Sequence, residues 1–134
     1  MSLMMCDIDH FKNINDNFGH ETGDMIIKEL ADIFIVTLRK QDTVARWGGG
    51  GEKFLFLLPE TNAQQAFILG EKIRHKIADS EFCFQDKSLK LTASIGIYEV
   101  MEGNNIEQAI SYADNNLYEA KKTDRNRCVI NPQF

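Results

Sequence analysis

The spacing of apolar positions along the chain follows two different periods, which predicts a mixture of strands and helices. Short apolar or alternating runs are typical of strands, and the run at residues 54–58 is apolar on both faces, as in a strand inside a sheet. Apolar positions repeated every three or four residues are typical of amphipathic helices. The predicted strands cover residues 3–8, 43–47, 52–58, 91–97 and 127–130, and the predicted helices cover residues 10–17, 21–38, 66–77 and 106–122.

The order of these elements predicts the fold class. A strand is followed by a pair of helices, a hairpin, a helix, a strand or hairpin, a helix and a final strand. This order is typical of an α/β sandwich in which helices cover a mixed sheet. The glycine run at residues 48–51 separates the two arms of the hairpin.

Composition limits the classes of protein to which the chain can belong. Its 134 residues, 43% of them apolar, are typical of one globular domain covering residues 1–134. The net charge of −5 argues against a nucleic-acid partner, which requires a basic surface. Cys6, Cys83 and Cys128 are widely separated, so they indicate neither a disulfide framework nor a zinc site.

The location of the protein is predicted from what the chain lacks. No apolar run approaches the roughly 20 residues that span a bilayer, so we expect the domain to lie in the cytoplasm. The chain enters its first strand almost at once, which favours a domain excised from a longer protein, with residues 1–3 resembling a tag. The full-length protein can then carry a membrane anchor and a sensor domain upstream.

The first candidate chemistry lies at the end of the first predicted strand. In Asp7-Ile8-Asp9, a carboxylate and the Ile8 carbonyl offer the hard oxygen ligands that suit Mg²⁺. The alternative is that both carboxylates are solvated and cap the next helix.

The predicted helix pair carries groups that suit a nucleotide. Lys12 follows a strand by a few residues, where a cation and free helix amides can hold phosphate oxygens. The amide of Asn15 and the carboxylate of Asp24 can bind the edge of guanine. Taken singly, Asn15 and Asp24 are also common helix-capping residues.

The separated motifs together resemble the GGDEF family of diguanylate cyclases. They are Asp7-Ile8-Asp9-His10-Phe11-Lys12, Gly19-His20-Glu21-Thr22-Gly23-Asp24, Arg46-Trp47 with its glycines, and Ala120-Lys121-Lys122-Thr123-Asp124-Arg125-Asn126. The resemblance extends from about residue 7 to 127, and it implies the nucleotidyl-cyclase or palm-like GGDEF fold, with a mixed, mainly antiparallel central sheet flanked by helices.

The resemblance also implies roles for individual residues. Asp7, the Ile8 carbonyl and Glu52 would bind Mg²⁺ or Mn²⁺, and Asp7 and Glu52 would be catalytic. The substrate-binding residues would be Lys12, Asn15, Asp24, Gly50, Gly51, Lys121 and Arg125. Arg39 and Asp42 match the R-x-x-D pattern of the family's inhibitory product site. Ser94-Ile95-Gly96 resembles a strand motif that is needed for packing.

The signature loop departs from the family pattern. Two extra residues precede Gly50-Gly51-Glu52-Lys53-Phe54, and Lys53 replaces the second acidic residue. Because side chains alternate between the two faces of a strand, an insertion of two residues keeps the side chains of both hairpin arms on the same faces of the sheet.

The resemblance predicts a diguanylate cyclase, in which a homodimer condenses two GTP into cyclic di-GMP. The main alternative is a catalytically degenerate module that binds GTP or cyclic di-GMP and regulates an attached domain. An unrelated α/β domain with a carboxylate-rich strand end is the third possibility.

Overall fold

The computed structural model describes residues 1–48 and 52–130, and within these ranges the chain forms seven strands and four helices. The strands are β1 Ser2–Ile8, β2 Thr43–Trp47, β3 Lys53–Leu58, β4 Phe82–Phe84, β5 Lys87–Leu89, β6 Ala93–Glu99 and β7 Cys128–Ile130. The helices are α1 Phe11–Phe18, α2 His20–Thr37, α3 Ala63–Asp79 and α4 Ile106–Lys122.

A five-stranded sheet in the order β2-β3-β1-β6-β7 forms the centre of the structure. β1 is antiparallel to both β3 and β6, and β2 is antiparallel to β3. The remaining pair of this sheet, β6 and β7, is parallel. The predicted mixed, mainly antiparallel sheet is therefore confirmed. The interior position of β3, expected from its two apolar faces, is confirmed as well.

The alternation of side chains along β1 divides the core into two layers. Met4, Cys6 and Ile8 face the layer that includes α2 and α3, whereas Leu3 and Met5 face α4. The α4 layer is completed by Leu55, Tyr98, Ala109, Ala113 and Leu117. Asn105 caps the N-terminus of α4, and its side chain forms a capping box with Gln108. The sheet is thus covered on both faces.

Several boundaries differ from those predicted. Leu91 precedes β6 instead of belonging to it, and residues 82–89 form a separate two-stranded hairpin, β4-β5. Because β4 and β5 have three residues each, they are too short to show an alternating pattern. Ser2 and Leu3, which were expected to be tag-like, are fully buried in β1, so they form part of the sheet.

Close packing of α4 on β6 depends on Gly96. A Cβ atom at this position would lie 2.1 Å from the amide nitrogen of Leu117 and 2.2 Å from the carbonyl oxygen of Ala113. Both are backbone atoms, so a side chain at residue 96 would force the helix away from the sheet. The packing role expected for Ser94-Ile95-Gly96 is confirmed.

The buried carboxylate of Asp9 joins distant parts of the chain. Thr92 Oγ1 and Ser94 Oγ donate hydrogen bonds of 2.6 and 2.7 Å to it, and the backbone amide of Asn126 donates one of 3.0 Å. Burial by itself would raise the pKa of Asp9, but these hydroxyl groups and the Lys121 ammonium hold the pKa below its usual value. Asp9 therefore acts as a structural anchor.

The turn after α4 is held from the other side of the sheet. Asp124, Arg125 and Asn126 all have positive φ angles, a conformation that non-glycine residues adopt only at a cost in free energy. Arg74 of α3 donates hydrogen bonds to the carbonyl and side chain of Asn126, while it pairs with Glu71 through two nitrogen–oxygen contacts of 2.7 and 2.8 Å. The position of Arg125 thus depends on α3.

We expect Gly96→Ala to lower the free energy of unfolding by about 3 kcal/mol or more, because the new methyl group overlaps backbone atoms of α4. Urea denaturation measures this change. The control is Gly103→Ala, where the added Cβ meets no atom within 4 Å and the cost is confined to a φ of +91°, about 1–2 kcal/mol. Equal losses in the two variants would contradict the packing argument.

We expect the Glu71–Arg74 pair to make the free energy of unfolding depend on pH in the acidic range. The hydrogen bonds from Arg74 lower the pKa of Glu71 from 4.5 to about 2. A depressed carboxyl pKa contributes stability that is complete above pH 4.5 and is lost as the pH falls towards about 2. Glu71→Gln should therefore be less stable than the native chain at neutral pH, and the difference should shrink over this range. Denaturation at a series of pH values measures it, and a constant difference would refute the prediction.

Candidate functional site

An open pocket of about 330 Å³ lies at the carboxyl end of β1. It brings together six of the residues that the sequence analysis assigned to metal or phosphate binding. They are Asp7, Ile8, Lys12, Glu52, Lys121 and Arg125. These residues come from three separate stretches of the chain, residues 7–12, residue 52 and residues 121–125, so the tertiary structure brings the predicted site together.

Asp7 supplies the pocket with an oxygen atom that has no partner. Its Oδ1 is buried and accepts no hydrogen bond among the described residues, while its Oδ2 lies 3.5 Å from the Lys121 ammonium. Burial raises the pKa of Asp7, Lys121 counteracts this, and the nearby negative charge of Glu52 raises the pKa further. A buried carboxylate oxygen without a donor is suited to a cation.

The donors around this oxygen fit a magnesium or manganese ion. Asp7, Glu52 and the Ile8 carbonyl all border the pocket, and all offer hard oxygen atoms. No group of three or more acidic, histidine or cysteine side chains with metal-binding geometry occurs in the described part of the chain. Mg²⁺ in nucleotide sites is commonly held by one or two carboxylates together with water and substrate phosphates.

Positive groups line the rest of the pocket. Lys121 contacts Asp9 Oδ1 at 3.0 Å and the Ile8 carbonyl oxygen at 3.5 Å, so its ammonium lies at the acidic strand end. Lys12 is exposed in the first turn of α1, and among the described residues no side-chain hydrogen bond caps the N-terminus of this helix. The first amides of α1 are therefore free to bind an anion together with Lys12 and Arg125.

The two residues expected to bind guanine lie where α1 and α2 meet. Asn15 and Asp24 are inside these helices and not at their caps, which excludes the capping alternative. A Cβ atom on Gly23 would lie 2.0 Å from Asn15 Oδ1, so glycine next to Asp24 makes room for the Asn15 amide. This Oδ1 is also buried and without a partner among the described residues.

Lys53 lies beside the pocket but its ammonium group points elsewhere. It is opposite Asp7 in the β1–β3 pairing, and its Nζ lies 3.1 Å from Asp114 Oδ1 of α4. The β2–β3 pairing is regular up to Trp47 opposite Lys53, so the insertion leaves the hairpin register intact. Gly50 and Gly51, predicted to bind substrate, lie outside the described residues.

Arg39 and Asp42 form a second, separate candidate site. Two guanidinium nitrogens of Arg39 donate to the two carboxylate oxygens of Asp42 at 3.2 and 3.1 Å. The same guanidinium also donates to the Pro59 carbonyl at 3.2 Å and to Thr61 Oγ1. The pair therefore joins the turn before β2 to the turn after β3.

Sequence reasoning missed the positioning residues. Asp9 was given no role of its own: it follows Asp7 by two residues, which in a continuous strand would put both carboxylates on one face, but β1 ends at Ile8 and Asp9 lies just beyond it. Asp114 was not identified either. Its spacing of seven residues before Lys121, two helical turns, was the available signal, because it places both side chains on one face of α4.

No helix in the described residues is long and apolar enough to cross a membrane.

Comparison with known proteins agrees with this geometry. The family profile described as "Diguanylate cyclase, GGDEF domain" matches residues 1–127. The chain is 37% identical over 131 residues to diguanylate cyclase A of Treponema denticola, covering 97% of this chain and 35% of the relative. The chain thus spans about a third of the length of that protein.

Solved structures show the same fold. Diguanylate cyclase SiaD of Pseudomonas aeruginosa, in complex with its activator SiaC, has a TM-score of 0.91 at 37% identity, covering 97% of this chain and 49% of that one. The GGDEF domain of DgcB from Caulobacter crescentus, in complex with c-di-GMP, has a TM-score of 0.90 at 30% identity, covering 96% of this chain and 76% of that one. From its motifs, its fold and these matches, the chain belongs to the GGDEF family of diguanylate cyclase domains.

Proposed function

We propose that this domain is a diguanylate cyclase, which condenses two GTP into cyclic di-GMP and releases two pyrophosphates. The observation that carries the proposal is the pocket at the end of β1. There the unpartnered Oδ1 of Asp7 and the Glu52 carboxylate lie together with Lys12, Lys121 and Arg125. Oxygen donors beside a set of cations suit a metal-bound triphosphate.

In the proposed reaction, the side chains first hold the nucleotide in place. Asn15 and Asp24 bind the guanine edge, and Lys12, Lys121 and Arg125 hold the phosphates. Lys121 already lies at the acidic strand end, 3.0 Å from Asp9, so it is positioned before the nucleotide arrives. Fixed placement of reacting groups supplies a large share of the rate acceleration.

The bond changes occur between two copies of the domain. The 3′-oxygen of one GTP forms a bond to the α-phosphorus of the other, and the bond from that phosphorus to the bridging oxygen breaks, so that pyrophosphate leaves. The carboxylate of Glu52 orients the 3′-hydroxyl and accepts its proton. A bound Mg²⁺ or Mn²⁺, held by Asp7, Glu52 and the Ile8 carbonyl, would neutralise charge on the phosphates. Repetition with the roles exchanged closes the ring.

The proposal specifies partners and surroundings. GTP is the substrate, cyclic di-GMP is the product, and a homodimer is required because each copy supplies one nucleotide. The net charge of −5 argues against a nucleic-acid partner. We further propose a cytoplasmic domain regulated by an upstream sensor, since related cyclases such as SiaD are solved with an activator protein.

We expect Glu52→Gln to reduce the rate of cyclic di-GMP formation by about a hundredfold or more, because the amide neither binds the metal as a carboxylate nor accepts the proton. The measurement is product formation from GTP and Mg²⁺ by the full-length protein. Glu102→Gln, which changes an exposed carboxylate in the turn before α4, is the matched control and should retain the native rate.

Other results would point to other functions. An undiminished rate in Glu52→Gln would contradict the catalytic role of Glu52. GTP binding by the native protein without any product would favour the degenerate binding module, for which the cation at Lys53 is the specific evidence. Failure to bind guanine nucleotides at all would refute both.

We also propose that Arg39 and Asp42 form an inhibitory product site, as DgcB of C. crescentus is solved in complex with c-di-GMP. Arg39→Ala should raise the inhibition constant for cyclic di-GMP about tenfold or more, because charge-assisted bonds from a guanidinium are lost. The Asp42 side chain is buried, and in the variant it can still accept the hydrogen bond from the backbone amide of residue 39. Circular dichroism of Arg39→Ala reports whether the domain remains folded. The control is Lys40→Ala, which removes a positive charge that lies between Arg39 and Asp42 in the sequence and should leave the inhibition constant unchanged. Unchanged inhibition in Arg39→Ala would eliminate this site.

A further inference from the structure

The signature hairpin places a lysine next to the candidate metal ligands. Lys53 lies directly opposite Asp7 in the β1–β3 pairing, and paired residues present their side chains on the same face of a sheet. That face is the one covered by α4, since the neighbouring residues Leu55 and Met5 pack against this helix. The ammonium of Lys53 therefore has Asp7 within the reach of its four-carbon side chain.

The structure directs this ammonium away from Asp7. Lys53 Nζ lies 3.1 Å from Asp114 Oδ1, and no ion pair between Lys53 and Asp7 occurs among the described residues. A cavity of about 180 Å³ is bordered by Lys53, Asp114, Asp7 and Lys121. There is consequently open space between the ammonium and the carboxylate that it does not contact.

Asp7 would accept the ammonium if Asp114 were absent. The Oδ1 of Asp7 is buried and unpartnered, so a hydrogen-bond donor that reached it would be strongly favoured. A lysine at Asp7 Oδ1 would occupy the oxygen that a divalent cation needs and would repel that cation. Asp114 competes with Asp7 for the ammonium, because it offers Lys53 another carboxylate bordering the same cavity. Lys53 and Asp114 are both partly exposed, so the side chain is free to exchange between the two partners.

We propose that Asp114 is a positioning residue that holds Lys53 away from Asp7 and thereby keeps the metal site able to bind a cation. The inference rests on the proposed metal-dependent function, and it deepens that function by identifying how this chain retains the site with a lysine in its signature. Asp114 has no direct contact with the metal ligands in this account. Its effect passes through Lys53.

The test is a double-mutant cycle with Mn²⁺ affinity as the measured quantity. Binding of Mn²⁺ to the full-length protein, in the presence of a GTP analogue that cannot react, is followed by electron paramagnetic resonance. We expect Asp114→Asn to weaken Mn²⁺ binding by about tenfold, equivalent to about 1.4 kcal/mol. Lys53→Met should bind Mn²⁺ at least as tightly as the native protein. Lys53→Met with Asp114→Asn should recover native affinity, since no ammonium remains to compete.

The controls separate this inference from the function on which it rests. Asp32→Asn removes an exposed carboxylate from α2 and should leave Mn²⁺ affinity unchanged. Circular dichroism of each variant reports whether it is folded. If Glu52→Gln loses Mn²⁺ but Asp114→Asn does not, the inference is wrong and the proposed function stands. If the double variant is as weak as Asp114→Asn, Asp114 does not act through Lys53 and the inference is again wrong. If the native protein binds no Mn²⁺, both are wrong.

Discussion

The buried carboxylate of Asp9 is the interaction on which the arrangement of the site depends. A charge that is 3% exposed must be satisfied by hydrogen bonds or ion pairs, because an unpaired buried charge is prohibitively costly. Asp9 meets this requirement with Thr92, Ser94, Lys121 and the amide of Asn126. Its demand for donors brings the end of β1, the start of β6, the end of α4 and the following turn to one point.

The consequences of this anchor extend into the pocket. Because Asn126 is bound to Asp9 on one side and to Arg74 on the other, the turn that carries Arg125 is held in its positive-φ conformation. Lys121 is positioned by the same carboxylate. Asp9 does not line the pocket itself, but it supports the anion-binding groups that do.

The distance between α4 and the sheet sets the second half of the geometry. Gly96 allows the helix backbone to approach β6 closely, and this approach brings Asp114 and Lys121 over the end of β1. The charges there fall into two sets: Asp114 is paired with Lys53, whereas Asp7 and Glu52 face the pocket. Two carboxylates match the charge of one divalent ion. Under the proposed function, the lysine in the signature is compatible with a metal site because α4 supplies a partner for its ammonium group.

The sequence by itself determined the fold class, the order of the larger elements and the identity of six pocket residues, because hydrophobic periodicity and short motifs are local properties of the chain. It did not reveal the β4-β5 hairpin, whose strands are too short for a period to show. Only the tertiary structure decided that Asp9 is a buried anchor and that the Lys53 ammonium pairs with Asp114. The physical reason is that these outcomes depend on partners far away in sequence: Asn126 is 117 positions from Asp9, and Asp114 is 61 positions from Lys53.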